Sequence, residues 1–203
     1  MLWLLILSMT QHAGHVTAQV GDSTHHQQIT AYQQKLNGEF MDPDESPLTD
    51  EDREQFKGLP FFPIDTSYRT VATIERTPKA KPFRMATTTD RAPMYRQYAL
   101  AYFSIDGQPD TLRIYQNMEL MQIEKLKDYL FTPFTDLTNG FGSYGGGRYL
   151  DLRKPLGNSI VLDFNKAYNP YCAYNHRYSC PIPPRENHLN IAIKAGVKNP
   201  SNY

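Results

Sequence analysis

The polar and apolar positions change period along the chain. From His25 to Phe40, Ile29, Tyr32, Leu36 and Phe40 fall on one stripe with Gln and Lys opposite, which predicts an amphipathic helix. Asp, Pro and Ser break the pattern over Met41–Pro47. Thr49 then caps a short, acidic-fronted helix, DEDREQFK, which Gly58 ends. The apolar, proline-punctuated connector LPFFPID follows.

From Tyr68 the period drops to two. Tyr68, Thr70, Ala72 and Ile74 alternate with Arg69, Val71, Thr73 and Glu75, the signature of a half-buried strand. PFRMATTT predicts a second strand. Tyr98–Ile105 and Thr111–Gln116 flank Asp106-Gly107, a strong hairpin signal. A helical turn is expected over MELMQIEKLKDY. YLFTPF, GRYLDL, SIVLDF and LNIAIK then predict four more strands, with Leu189, Ile191 and Ile193 alternating cleanly. Helices do not alternate with strands, which disfavours a doubly wound nucleotide fold. The expected fold is mainly β, an antiparallel β-barrel or sandwich with an N-terminal helical arm. The expected organisation is a signal peptide over 1–18, arm and connector over 19–60, and a β-rich unit over 61–203.

The signal peptide follows from the front of the chain. Leu2–Met9 is apolar but too short to span a bilayer, and Val16-Thr17-Ala18 has the small residues that signal peptidase requires. Export to the periplasm or exterior, with cleavage after Ala18, is the expectation, although no Lys or Arg precedes the apolar run. No second long apolar run follows, so stable membrane insertion is not expected. Lys plus Arg equals Asp plus Glu at 21 each, so no large electrostatic draw to nucleic acid or anionic lipid is expected. The 14 Tyr and 10 Phe suit half-buried strands and ligand-stacking surfaces equally.

The segment from Pro133 to Asn187 has a distinctive order: PFTDLTNG, SYGGGRYLDL, VLDFNKAYNPYCAY and SCPIPPREN. Upstream lie SPL at Ser46–Leu48 and KGLPFFPID at Lys57–Asp65. This arrangement resembles the bacterial and archaeal family known as domain of unknown function 1684, over about Ala31 to Lys198. The resemblance implies a shared fold and brings no reaction with it, so the chemistry must be weighed residue by residue.

In SYGGGRYLDL, three glycines permit a backbone-amide nest, and Arg148 beside them could clamp a carboxylate or phosphate. The segment lacks the helix and Lys-Ser/Thr of a P-loop. The plain alternative is a Gly-rich turn with Arg148 paired to an internal acid. Asp136, Asp163 and Glu186 are candidate ligand or acid–base groups. Asp163, in the apolar strand IVLDF, is either a tuned acid or a satisfied internal partner of Arg148 or loop amides.

AYNPYCAYNHRYSCPIPP interleaves Tyr168, Tyr171, Tyr174 and Tyr178 with Asn165, Asn169 and Asn175, and prolines stiffen both ends. It suits a pocket for a small polar or cyclic ligand, or a plug closing one end of a barrel. Cys172 and Cys180, the only cysteines, suggest an intraloop disulfide in an exported chain. Cys172, His176 and Cys180 with His188 could instead bind metal, but the CxxC signature is missing. Cys172 with His188 and Asn187 has the residue types of a cysteine-nucleophile trio without its spacing.

The leading expectation is a binding module for an unidentified small polar or anionic ligand. Asp136, Arg148, Asp163, Asn165, Tyr171, Tyr174, Glu186 and Asn187 would bound its pocket, with no metal and no cofactor. One alternative is a cofactor-independent hydrolase or isomerase using Asp163 or Glu186 with Arg148. Another is an envelope assembly protein presenting Leu36, Phe40, Phe61 and Phe62 to a partner. The sequence leaves the oligomeric state open.

Overall fold

The computed structural model describes residues 13–200, with side chains from residue 23 onward. The apolar run Leu2–Met9 lies outside the described residues. Helix α1 spans Ala13–Met41, longer than the apolar stripe alone predicts, and the stripe is its buried face: Ile29, Leu36 and Phe40 are almost inaccessible. Helix α2, Asp50–Gln55, is capped by Thr49, whose hydroxyl accepts the Asp52 N–H at 3.1 Å.

Among the described residues, seven strands form one antiparallel sheet, curled into a half-barrel: β1 (Arg69–Arg76), β2 (Phe83–Arg84), β3 (Met94–Ile105), β4 (Gln108–Asn117), β5 (Tyr129–Phe134), β6 (Arg148–Arg153) and β7 (Ser159–Asp163). Their order is β6-β5-β4-β3-β1-β7, with β2 on β3. The β3–β4 hairpin turns at Asp106 and Gly107, both at positive φ (51° and 77°), as a two-residue primed turn requires.

Two strand expectations are corrected, and one helical turn is present. LNIAIK forms no ladder and bends at Asn190 and Ile191; Leu189 and Ile193 are buried as their alternation predicts, and an isolated bridge from His188 to Thr135 precedes the segment. MELMQIEKLKDY supplies two 3-10 turns, Leu120–Gln122 and Glu124–Leu126. PFRMATTT contributes only the two residues of β2.

The sheet is covered on both faces, and this positions the site. One face carries the main core, including Ala101, Leu112, Ile114, Leu130, Leu150 and Leu162. The opposite face at the β4–β5–β6 end carries an aromatic layer of Tyr95, Tyr115, Phe131 and Tyr149. A register shift between Gln97 and Ala99 divides β3 between them: Tyr95 joins the aromatic layer, whereas Ala99, Ala101 and Phe103 join the main core. The C-terminal half of α1 packs with Leu48, Phe56, Leu59 and Val197.

Candidate functional site

Side chains alternate across β5 and β6 with a period of two. Leu130 and Leu150 therefore enter the main core, and Tyr129, Phe131, Tyr149 and Asp151 point the other way. Register places Phe131 opposite Asp151 and Tyr129 opposite Arg153. The aromatic layer is the floor of a cleft of about 490 Å³. One wall is α1, through Tyr32, Lys35, Leu36, Glu39 and Phe40. The other is the loop from Tyr168 to Pro181. That loop is pinned at both ends. Tyr168 and Tyr149 exchange backbone hydrogen bonds at 2.9 and 3.1 Å, and the Thr88 N–H donates to the Cys180 carbonyl at 2.9 Å.

Two acids line this cleft, Glu39 on the α1 wall and Asp151 on β6. Tyr129 and Tyr168 both donate their hydroxyls to Asp151 Oδ1, at 2.7 and 2.8 Å. No donor or ion-pair partner engages Oδ2 among the described residues. Asp151 is exposed, yet desolvation by its surroundings raises its pKa above the ordinary 3.8. The two hydroxyls and the more distant Arg153 oppose that desolvation. Burial, reinforced by the Asp151 charge, pushes the Tyr32, Tyr129 and Tyr168 phenols upward, so they remain protonated. At the mouth, Lys35 pairs with Glu39.

The candidates singled out from the sequence fall in different places. Tyr171 and Tyr174 line the cleft; Tyr174 stands edge-on to Phe40 with ring centroids 4.8 Å apart. Arg148 and Asp136 meet each other inside the protein, not at a cleft. Arg148 is wholly buried; its Nη2 donates to Asp136 Oδ2 at 2.8 Å and to the Ile193 carbonyl at 2.8 Å, and its Nη1 to the Ala195 carbonyl. Asp136 Oδ1 accepts from Thr138 and from the Ile193 N–H. The glycine turn serves this packing. Gly147 lies at φ 93°, and a Cβ there would come within 2.7 Å of the Phe134 carbonyl oxygen. Of the three motif glycines, Gly147 gives its amide to the Tyr144 carbonyl at 3.1 Å and is not free for an anion.

Asp163 and Asn165 form a second internal group. Asp163 Oδ2 lies 2.8 Å from His25 Nε2 on α1, and its Oδ1 accepts from Asn165 Nδ2 at 3.0 Å. Asn165 also binds the Asp65 backbone in both directions. Asn187 is fully buried and clamps β4 to β5 through Arg113 and the Pro133 carbonyl. Glu186 is exposed on the 3-10 turn Arg185–Asn187. Arg148, Asp163 and Glu186 are thus not joined by any contact in the hydrogen-bond or ion-pair network, and none of the three lines the cleft around Asp151. Leu36 and Phe40 are buried in the layer that α1 covers, which removes them from an exposed patch.

The two cysteines are adjacent free thiols: the Cys172 N–H points at Cys180 Sγ, 3.2 Å away. Burial pushes the Cys180 thiol up to about 12, which makes it a poor nucleophile. His188 Nδ1 lies 3.0 Å from the Thr135 hydroxyl. Among the described residues, no three His, Cys, Asp or Glu side chains are grouped to hold a metal. Sequence reasoning missed Asp151, Tyr129 and His25. The available signal for Asp151 was the alternation in RYLDLR, which puts Tyr149 and Asp151 on the face opposite Leu150 and Leu152.

The sequence model of the family described as protein of unknown function (DUF1684) matches residues 54–198. The chain belongs to this family. The DUF1684 segment holds the whole sheet and the aromatic loop, whereas the α1 wall precedes it. The solution structure of an uncharacterized protein from Haloarcula marismortui is similar at 34% identity, with a TM-score of 0.68, and covers 88% of this DUF1684 chain and 96% of its own. No curated protein matches the chain. Among the described residues no helix is long and apolar enough to cross a membrane.

Proposed function

We propose that this protein is a small-molecule binding module whose ligand occupies the cleft between α1, the aromatic loop and the β4–β5–β6 end of the sheet. The observation that carries the reading is Asp151, a carboxylate with one oxygen committed to two tyrosines and the other open, at the floor of an aromatic cleft. A volume of about 490 Å³ suits a small organic molecule, and apolar walls around a few placed polar groups are what such sites share. In this reading Tyr171 and Tyr174, which line the cleft, face the ligand.

Amide chemical-shift mapping tests this with a set of cationic, neutral and anionic small molecules. The expected result is shifts confined to residues around Asp151, Asn169 and Tyr171, weakened in Tyr171→Ala. Absence of cleft shifts with every class would overturn the reading.

Export belongs to the same proposal. Cleavage after Ala18 leaves every α1 residue that lines the cleft in the mature chain. In an oxidising compartment Cys172 and Cys180 would close a disulfide by two-electron transfer to a thiol–disulfide oxidoreductase. Intact mass of the protein isolated from its own cells tests both points. A chain starting at Gln19 and two daltons short of the reduced mass is expected; a full-length, reduced chain would overturn them.

A further inference from the structure

We propose that the cleft selects organic cations, with an ammonium or quaternary ammonium group seated against Asp151 Oδ2 and the surrounding rings. This rests on the cleft being a ligand site, and it goes further by assigning the charge of the ligand.

The argument begins with where the hydroxyl protons go. Tyr129 and Tyr168 donate to Asp151 Oδ1, Tyr149 donates to the Pro181 carbonyl, and Tyr32 donates to the Lys166 carbonyl at 3.0 Å. A phenol has one proton. These four hydroxyls have committed theirs to protein acceptors and can offer a ligand only lone pairs. Asn169, 2% exposed, adds a buried Oδ1 with no hydrogen-bond partner among the described residues. These four hydroxyls and Asn169 Oδ1 present acceptors to the cleft beside Asp151, while Tyr95, Tyr171 and Lys35 also line it. A polyol would leave its own oxygens unpaired there, and an anion would meet lone pairs and a carboxylate.

Charge points the same way. The ion pairs among the described residues leave Asp151 without a basic partner. The nearby bases are directed elsewhere: Arg153 lies over the Tyr129 ring at 5.8 Å and reaches the Lys125 carbonyl, and Lys35 is held by Glu39. Lys35 and Glu39 cancel, so an ionised Asp151 gives the cleft a net negative charge. A bound cation would supply the missing partner and favour the ionised form that desolvation now disfavours.

The rings are arranged to help. Phe131, Tyr149 and Tyr168 form a run of edge-to-face contacts, at 73° and 89° between successive planes and 4.8 and 5.7 Å between centroids. Turning each ring across its neighbour produces a box of differently oriented faces, and aromatic faces attract cations.

Three compounds of one shape separate the possibilities: choline, the neutral 3,3-dimethylbutan-1-ol and the anionic 3,3-dimethylbutyrate. They are titrated into wild-type protein and Asp151→Asn and followed by amide shifts in the cleft and in the main core. In wild type, choline is expected to bind at least about tenfold more tightly than the alcohol, a difference of about 1.4 kcal/mol, and the anion more weakly still. In Asp151→Asn that preference should vanish while main-core resonances stay in place. Equal or tighter binding of the alcohol or anion overturns the cation inference and leaves the cleft as a ligand site. A choline preference that survives Asp151→Asn overturns the role given to Asp151. If choline leaves the cleft unmoved while other compounds from the mapping set shift it, the inference alone falls. If no compound of any class shifts the cleft, both readings fall.

Discussion

Arg148 and Asp151, three residues apart on one strand, show how opposite faces of β6 separate a sealed charge from one that lines a cleft. The Arg148 guanidinium is sealed among Asp136 and three backbone carbonyls, with Phe62 and Phe134 rings at 5.8 and 5.5 Å. Arg148→Met would leave Asp136 buried without its counter-charge. We expect a loss of about 3–5 kcal/mol, read from urea unfolding midpoints, and no selective change in the cleft's response to ligands. Asp151 behaves oppositely. Its pKa is raised on folding, so between the unfolded value near 3.8 and the folded value the native state holds more protons than the unfolded one. Stability contributed by this group is complete below the unfolded value and is lost as pH rises through the folded one. Asp151→Asn is expected to lack this decline, so that its stability relative to wild type improves from acid to neutral pH in parallel unfolding curves.

At the scale of elements, α1 is held by a few long-range anchors: His25 to Asp163, Tyr32 to the Lys166 carbonyl, and Asn37 Oδ1 accepting the Leu59 N–H at 2.8 Å. His25→Ala removes the partner of a carboxylate that is 8% exposed, at an expected cost of about 1–3 kcal/mol. Hydrogen exchange should quicken in α1 and leave the β3–β4 hairpin protected. Most of these elements were readable in advance because they are local. The stripe Ile29–Leu36–Phe40, the Thr49 cap, the alternation through β1 and the Asp106-Gly107 turn each encode their conformation within a few residues. Leu189–Lys194 was misread because alternating burial arises wherever an extended chain lies on a core, with or without a strand beside it. The site was less legible for a related reason. Arg148 and Asp163 attract notice as charges in apolar strands, but their partners, Asp136 and His25, are fixed by tertiary packing. Asp151 attracts none, since RYLDLR reads as an ordinary half-exposed strand until α1 and the aromatic loop cover its outer face.

Most sheet neighbours are consecutive strands, but the far edge of the sheet and the α1 contacts are non-local. Strand order β6-β5-β4-β3-β1-β7 brings β1 beside β7, and the His25–Asp163 contact joins residues 138 positions apart. Such topology folds in milliseconds to seconds, not microseconds. Stopped-flow refolding monitored by tyrosine fluorescence should show a phase in that range, with the α1 anchors forming late; His25→Ala should then accelerate unfolding more than it slows folding.

The cleft's two walls come from opposite ends of the sequence, one before residue 41 and the other after residue 167. On a ribosome the first wall emerges long before the second exists, and the cage is complete only when nearly the entire polypeptide has been released. An occupant would consequently act as a clasp between the earliest and latest parts of the chain, and its tightening effect would be felt as resistance of the full protein to heat or proteolysis.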